Sequence, residues 1–144
     1  MSRAAVFDAL LGDATLNGMV NPANVLVNYN FEGRPNNLQS GPFLVLRWGS
    51  MLPRGVMFEG GSKGPRLLTI WAHWPEEKTT DFVRLDKILD RVRKILTPLE
   101  DIIGGDGYRL TNVKFVGASE DMKDPGFKTI TRNAAFEVLG SSAT

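Results

Sequence analysis

The chain has 144 residues, of which 42% are hydrophobic and 23% are charged, and its formal net charge is +1. This composition is typical of a globular protein and excludes wholesale disorder. The near-neutral charge argues against a dedicated nucleic-acid binder, which carries a clear basic excess, but it leaves room for DNA contact through a local patch.

The chain contains no cysteine, which excludes disulfides and thiolate metal sites. The first residues, MSRAAVFDALLGD, lack the sustained apolar core of a signal sequence. No window approaches the roughly 18 apolar residues that a membrane span needs. We therefore expect no membrane partner.

Two short helices are predicted at the start of the chain. Apolar residues recur at helical spacing over 3–11 and stop at Gly12. Asp13 suits the N-cap of a second helix that runs to Met19.

Five segments have the pattern of strands. Residues 25–31, 66–74 and 129–139 alternate in part between apolar and polar positions, 42–48 is nearly all apolar, and 108–117 has an irregularity near Asn112 that predicts a bulge. Such one-sided patterning is typical of an antiparallel sheet with one solvated face.

One long amphipathic helix is predicted between the third and fourth strands. Thr79 or Thr80 is its expected N-cap, and Pro98 is expected to end it, with a short extra helical turn through Ile103. Gly104-Gly105-Asp106-Gly107 then predicts a helix-to-strand turn. The apolar positions form a stripe broad enough to cover a sheet: Phe82, Leu85, Ile88, Leu89, Val92, Ile95, Leu96 and Leu99.

These elements predict a single α+β domain over 1–144. Its parts are a mainly antiparallel sheet of about five strands, one long amphipathic helix packed on it, and a short N-terminal helix. Residues 140–144 are small and polar, and we expect them to fray.

Residues 49–65 interrupt this regular pattern. They are dense in glycine and proline, which opposes a long regular element, yet they also contain large hydrophobic residues. One interpretation is a projecting excursion, for example a β-hairpin, that orders on a partner. The other is a surface loop whose apolar residues fold back on the core.

No catalytic or metal-binding constellation is evident in the sequence. His73 is the single histidine, it lies in a predicted strand between two tryptophans, and its expected role is structural. One histidine without cysteine does not make an ordinary zinc site. We therefore predict a non-enzymatic protein without a cofactor.

The candidate contact residues lie in three places. A stripe of basic residues runs along the long helix opposite its apolar side, and is either a solvated face or a surface that meets a neighbouring subunit or DNA. The other two places are the excursion and the polar turn over 120–128. The candidates are Met51, Leu52, Arg54, Val56, Met57, Phe58 and Lys63 in the excursion, Arg84, Lys87, Arg91 and Lys94 on the helix, and Asp121, Lys123, Asp124, Phe127 and Lys128 in the turn.

The order of segments resembles the tail-terminator, or tail-completion, family of long-tailed phages and prophages. The resemblance is carried by PFLVLRWG, by LLTIWAHW leading into TTDFVRLDKILDRVRKIL, by the Asp124-Pro125-Gly126 turn, and by Thr131-Arg132 followed by an alternating strand. It covers nearly the whole chain. The departure is the 49–65 excursion, which is longer and richer in glycine than the corresponding hairpin of the family.

The resemblance implies a virion structural protein without catalytic residues. In that family the subunits form a ring, typically hexameric, that caps the head-proximal end of the tail tube and stops its polymerisation. Ring formation of this kind requires heterologous contacts between different patches of adjacent subunits. The implied partners are other copies of the chain, the tail tube protein and a head-side connector or stopper, with DNA or the tape-measure protein in the lumen. Assembly would take place in the host cytoplasm.

Two alternatives stay open at the level of sequence. The chain could be another neck or tube component, such as a head-completion protein or a tail tube subunit. It could also be a small-ligand binding module or an enzyme that uses a pocket between helix and sheet around His73 and Trp71.

Overall fold

A single sheet with helices packed on one face organises the molecule. The computed structural model describes residues 3–27, 41–51 and 65–142. The helices are α1 (Arg3–Leu11), α2 (Ala14–Met19) and α3 (Phe82–Leu96), with a 3-10 helix at Pro22–Asn24. The strands are β1 (Val25–Val27), β2 (Phe43–Met51), β3 (Arg66–Pro75), β4 (Glu100–Ile103), β5 (Tyr108–Ala118), β6 (Met122–Asp124) and β7 (Thr129–Ser142).

The described strands form one mixed sheet in the order β1-β2-β3-β7-β5-β4, with β6 paired to the first residues of β7. Only the short β1–β2 pair is parallel among these neighbours. The predicted α+β class and mainly antiparallel sheet are therefore confirmed. The strand number is corrected from about five to seven in the described residues, because β4 and β6 were not foreseen.

The main core lies between α3 and the sheet. Alternation along β3 and β7 places every second side chain on the helix side, and the stripe of α3 meets them there. The buried members of this layer are Leu68, Ile70 and Ala72 on β3, Ile130, Ala134, Phe136 and Val138 on β7, and Leu85, Ile88, Leu89, Val92 and Leu96 on α3. The predicted apolar stripe is thus confirmed at these five helix positions.

The N-cap of α3 lies one or two residues after the predicted Thr79 or Thr80. Its N-cap is Asp81, whose Oδ1 accepts a hydrogen bond from the backbone N–H of Val83 at 3.0 Å. Thr79 instead accepts from the N–H of Asp81 through its hydroxyl at 3.1 Å. A carboxylate at this position also interacts favourably with the positive end of the helix dipole.

The segment after α3 is a strand, so the predicted helical turn through Ile103 is wrong. Pro98 does end the helix, but Glu100–Ile103 then pairs with β5. Two consecutive β-branched isoleucines favour an extended backbone there, and the edge of β5 supplies the hydrogen-bond partners.

Residues 104–107 consequently form a strand-to-strand turn, which corrects the predicted helix-to-strand turn. This turn lies against the start of α1: Asp106 Oδ2 accepts from the N–H of Ala4 at 3.2 Å. A Cβ on Gly104 would lie 2.8 Å from the backbone nitrogen of Ala5. Glycine is required at 104 by this close approach of two backbones.

The last strand is longer than expected. Gly140 pairs with Leu110 and Ser142 pairs with Tyr108, so residues 140–142 do not fray as predicted. Residues 143–144 lie outside the described residues. The bulge predicted near Asn112 is confirmed by a register shift between Leu110 and Asn112.

Only the two ends of the 49–65 segment are described. Residues 49–51 continue β2, and the carbonyl of Gly49 accepts from Nε of Arg66 at 2.7 Å. Residues 52–64 lie outside the described residues, as do 28–31 of the predicted first strand. The hairpin prediction for the excursion stays a prediction.

Leu89→Ala should lower the free energy of unfolding by about 2–5 kcal/mol, because Leu89 is 6% exposed within the layer between α3 and the sheet. Val83→Ala is the matched control on the same helix, since Val83 is 53% exposed, and it should change the value by no more than about 0.5 kcal/mol. Urea unfolding of both variants measures the difference, and equal midpoints would contradict the placement of the apolar face.

Candidate interaction surfaces

The β6–β7 turn is built by Asp124. Its Oδ1 accepts from the backbone N–H groups of Gly126 at 2.8 Å and Phe127 at 3.1 Å, an Asx-turn arrangement that fixes the chain reversal. Lys123 and Lys128 are exposed on this turn. Asp124 therefore has a local structural role, while the two lysines are presented to solvent.

Phe127 folds back from the turn onto the sheet face opposite α3. Its ring lies 5.2 Å, centroid to centroid, from each of Phe43 and His73 in edge-to-face geometry. Phe43 and Val45 are fully buried in this second, smaller cluster. The ring predicted as a partner contact thus has an intramolecular role in covering this cluster.

His73 lies in the same cluster. It is 1% exposed, its Nδ1 is 2.8 Å from Thr129 Oγ1, and its ring stacks on Phe43 at 4.7 Å. Nε2 has no hydrogen-bond partner in the described residues. Burial lowers the pKa of His73 to about 4, against the weaker opposing effect of the Asp124 charge.

The position of His73 also corrects one alternative. His73 and Trp71 lie on the side of β3 opposite Leu68 and Ile70, which face α3. A pocket between the long helix and the sheet therefore cannot be lined by His73.

The basic stripe of α3 is divided between two kinds of residue. Arg91 forms a two-point ion pair with Asp13, with Nη2–Oδ2 at 2.6 Å and Nε–Oδ2 at 3.1 Å. Lys87 and Lys94 are exposed. Arg84 places its guanidinium 5.3 Å from the centre of the Trp74 ring. Arg91 is thus an internal clamp, whereas Lys87, Lys94 and Arg84 face outwards.

Asp13 both caps α2 and pairs with Arg91. Its Oδ1 accepts from the backbone N–H groups of Thr15 at 3.0 Å and Leu16 at 3.1 Å, which caps α2 as the sequence predicted. The hydrogen-bonded Arg91 guanidinium holds the pKa of the Asp13 carboxyl below its usual value. One carboxylate therefore joins the start of α2 to the middle of α3.

A second arginine, Arg132, ties down the loop between β5 and β6. Its Nη2 donates to the carbonyl of Ser119 at 2.8 Å, its Nε lies 3.5 Å from Asp121 Oδ1, and its Nη1 pairs with Asp86 on α3. Asp121, predicted as a partner contact, is consequently engaged within the subunit.

The remaining predicted contacts lie in the excursion. Met51 ends β2, where its backbone pairs with Arg66. The other six are outside the described residues: Leu52, Arg54, Val56, Met57, Phe58 and Lys63.

The structure shows an apolar edge that sequence reasoning missed. All four residues of β4 are exposed, and among the described strands β4 pairs only with β5. Four of the five large exposed hydrophobic residues in the described part of the chain lie in β4 and β5: Ile102, Ile103, Tyr108 and Val116. The available signal was the Ile102-Ile103 pair just after Pro98, which reads as a strand rather than a helical turn.

A groove lies at the opposite end of the helix layer. It has a volume of about 270 Å³ and is lined by Gly18, Met19, Trp74, Arg84, Lys87 and Ile88. Its apolar surface comes from α2, β3 and α3, and its charged groups are both cationic. We call it the tryptophan groove.

Two other classes of site are absent from the described ranges 3–27, 41–51 and 65–142. No helix there is long and apolar enough to cross a membrane. No group of three or more histidine, aspartate or glutamate side chains is placed there to hold a metal ion.

Comparison with solved structures identifies the fold. A chain in a structure described as the virion of a native gene transfer agent (GTA) particle superposes with a TM-score of 0.66 over 97% of this chain and 98% of that chain, at 15% sequence identity. The two chains share one fold. No protein-family model and no curated protein sequence matches the chain.

Asp13→Ala should lower the melting temperature more than Asp13→Asn, and both more than an exposed control such as Lys94→Ala. Alanine removes the helix cap and the ion pair together, whereas asparagine keeps a capping oxygen. Thermal unfolding monitored by circular dichroism measures the melting temperature of each variant and so ranks them. If Asp13→Ala and Asp13→Asn lowered the melting temperature equally, the cap of α2 would contribute no stability beyond the contact with Arg91.

Stability should fall on acidification because His73 is neutral in the native state. Its folded pKa of about 4 is below the ordinary value of 6.5, so between these values the unfolded chain binds more protons and stability rises with pH. Acidification from pH 7 to pH 5 should therefore cost about 2 kcal/mol at this residue. Urea unfolding at both pH values should show this loss in the native sequence and a smaller one in His73→Gln; equal losses would exclude His73 as the source.

Proposed function

We propose that the protein is a structural component of a phage-like virion and that it acts there as the tail terminator. In this role its subunits form a ring, hexameric as in the family it resembles, at the head-proximal end of the tail tube. The ring stops tube polymerisation and offers a surface to the head-side connector or stopper. It needs no cofactor and catalyses no reaction.

The fold shared with a chain of the GTA virion carries this proposal. The match spans nearly the full length of both chains, so it concerns the whole architecture and not one common substructure. The order of segments that resembles the tail-terminator family is a separate support, because it comes from the sequence and not from the coordinates.

The distribution of apolar surface supports an assembly role. Proteins that act alone seldom leave an unpaired strand edge with neighbouring large hydrophobic side chains, because such an edge promotes association. Here all four residues of β4 are exposed, Ile103 at 55%, and Tyr108 at the start of β5 is 42% exposed. In a ring this edge would be covered by the next subunit.

The charged surfaces suit the contacts with other virion proteins. Lys123 and Lys128 on the β6–β7 turn, and Lys94 on α3, are exposed and carry charge that can steer association with acidic surfaces. The 49–65 excursion is the further candidate for contact with the tube or the connector. Any passage of DNA or the tape-measure protein would be through the lumen of the ring.

Particles that lack this protein should have tails of irregular, extended length that fail to join heads. The reason is that nothing would stop addition of tube subunits at the head-proximal end. Electron micrographs of particles from a deletion strain, with and without the gene supplied in trans, measure tail length and joining. Tails of normal length that join heads normally would refute the proposal.

The assemblies that the purified protein forms distinguish a terminator from the other neck and tube components. A terminator should form discrete rings at most, because its contacts close. Micrographs that show long filaments of the protein alone would instead identify a tail tube subunit.

A further inference from the structure

The β4 edge and the tryptophan groove are complementary in chemistry. We define the β4 edge patch as Glu100, Ile102, Ile103 and Tyr108, which combine exposed apolar side chains with a carboxylate. The groove combines an apolar floor with two cations, Arg84 and Lys87. Both surfaces are therefore partly apolar, and their charges are opposite in sign.

The charges that define both surfaces form no ion pair within the described part of the subunit. Among the residues that the structure describes, Glu100, Arg84 and Lys87 have no ion-pair partner, whereas Arg91 and Arg109 each have one and Arg132 has two. Arg84 lies over the face of Trp74, which leaves the edge of its guanidinium available to a carboxylate. A partner that brings a carboxylate beside an apolar side chain would satisfy the groove.

The fifth large exposed hydrophobic residue lies on the same helix as the groove residues Arg84, Lys87 and Ile88. Val83 is 53% exposed and lies one helical turn before Lys87 on α3. All five such residues in the described part of the chain thus belong to the β4–β5 side or to the neighbourhood of the groove.

The two surfaces cannot meet within one subunit. Trp74 pairs with Ile130 near the start of β7, whereas Leu110, the cross-strand neighbour of Ile102, pairs with Gly140. Ten residues of strand separate these positions along β7, a distance of about 33 Å. In addition, β7 and β5 lie between β3 and β4. Contact between the surfaces therefore requires two molecules.

We propose that the β4 edge patch of one subunit docks into the tryptophan groove of a second copy of the same chain. Ile103, the more exposed of the two isoleucines, contacts Trp74 and Met19, and Glu100 pairs with Arg84 and Lys87. The contact joins different patches, so it is heterologous and propagates head to tail until a ring closes. This inference rests on the proposed function, for which it supplies the subunit interface.

The absence of cysteine from the chain allows a direct test by site-specific crosslinking. Ile103→Cys and Lys87→Cys, both at exposed positions, are mixed and treated with a short bismaleimide. The proposal expects a crosslinked heterodimer in the mixture, and a ladder that ends at a closed ring when both substitutions are in one chain. Lys94→Cys, further along α3, is the matched control and should crosslink to Ile103→Cys at least tenfold less.

Charge reversal provides a second readout that does not depend on crosslinking. Glu100→Arg and the double variant Arg84→Glu/Lys87→Glu should each lose self-association in sedimentation velocity. Mixed together, these two variants should restore association, because the reversed charges again face each other across the contact. Circular dichroism checks that each variant is folded.

Three results would overturn the inference. They are crosslinking of Ile103→Cys chiefly to itself, equal crosslinking of Lys87→Cys and Lys94→Cys, and no crosslinking above the level of a bulk-solvent control. If the protein nevertheless forms closed rings by mass, only the interface assignment fails and the terminator proposal stands. If deletion of the gene leaves tails normal while the crosslinks form, the interface is correct and the terminator proposal fails.

Discussion

Burial of the apolar stripe of α3 on one face of the sheet is the interaction on which the rest of the structure depends. The stripe covers β3 and β7, the two central strands, and Leu85, Val92 and Leu96 are fully buried there. α1 and α2 complete the helical layer, since Val6, Leu10 and Leu16 join the same core. Because non-polar area removed from water is the main source of folding free energy, this layer fixes which sheet face is covered.

Two arginines connect this helical layer to neighbouring elements through contacts within the subunit. Arg91 joins α3 to the capped start of α2 through Asp13, and Arg132 joins β7 to α3 and to the loop before β6. These contacts with carboxylate and carbonyl groups fix the positions of the helices and the loop relative to one another. The same engagement removes both side chains from the set that can contact another protein.

The surfaces that have no partner within the described part of the subunit are the ones on which the proposed function rests. The outer edge of β4 has no strand beside it in the described sheet, and Arg84 and Lys87 have no ion-pair partner in the described residues. An apolar, acidic edge and an apolar, basic groove at distant corners of one sheet are what a head-to-tail contact needs. In the ring that we propose, each of these surfaces would meet the other on a neighbouring subunit.

The sequence by itself determined the helices, the central strands and the main core. Periodicity is a local property, so the stripe of α3 and the alternation in β3 and β7 are visible without tertiary information. Caps and breakers such as Asp13, Gly12 and Pro98 act over a few residues and were predictable for the same reason. The fold class followed from the number and order of these elements.

Only the tertiary structure decided which surface residues are free. Whether Arg91 faces solvent or Asp13 depends on residues 78 positions apart, and the burial of Phe127 depends on a contact with Phe43. Ile102 and Ile103 favour an extended backbone locally, but the strand Glu100–Ile103 also needs the edge of β5, which supplies its hydrogen-bond partners. A charged or aromatic side chain is available to a partner only when no neighbour in space contacts it. Which residues become neighbours in space cannot be read directly from their order along the chain.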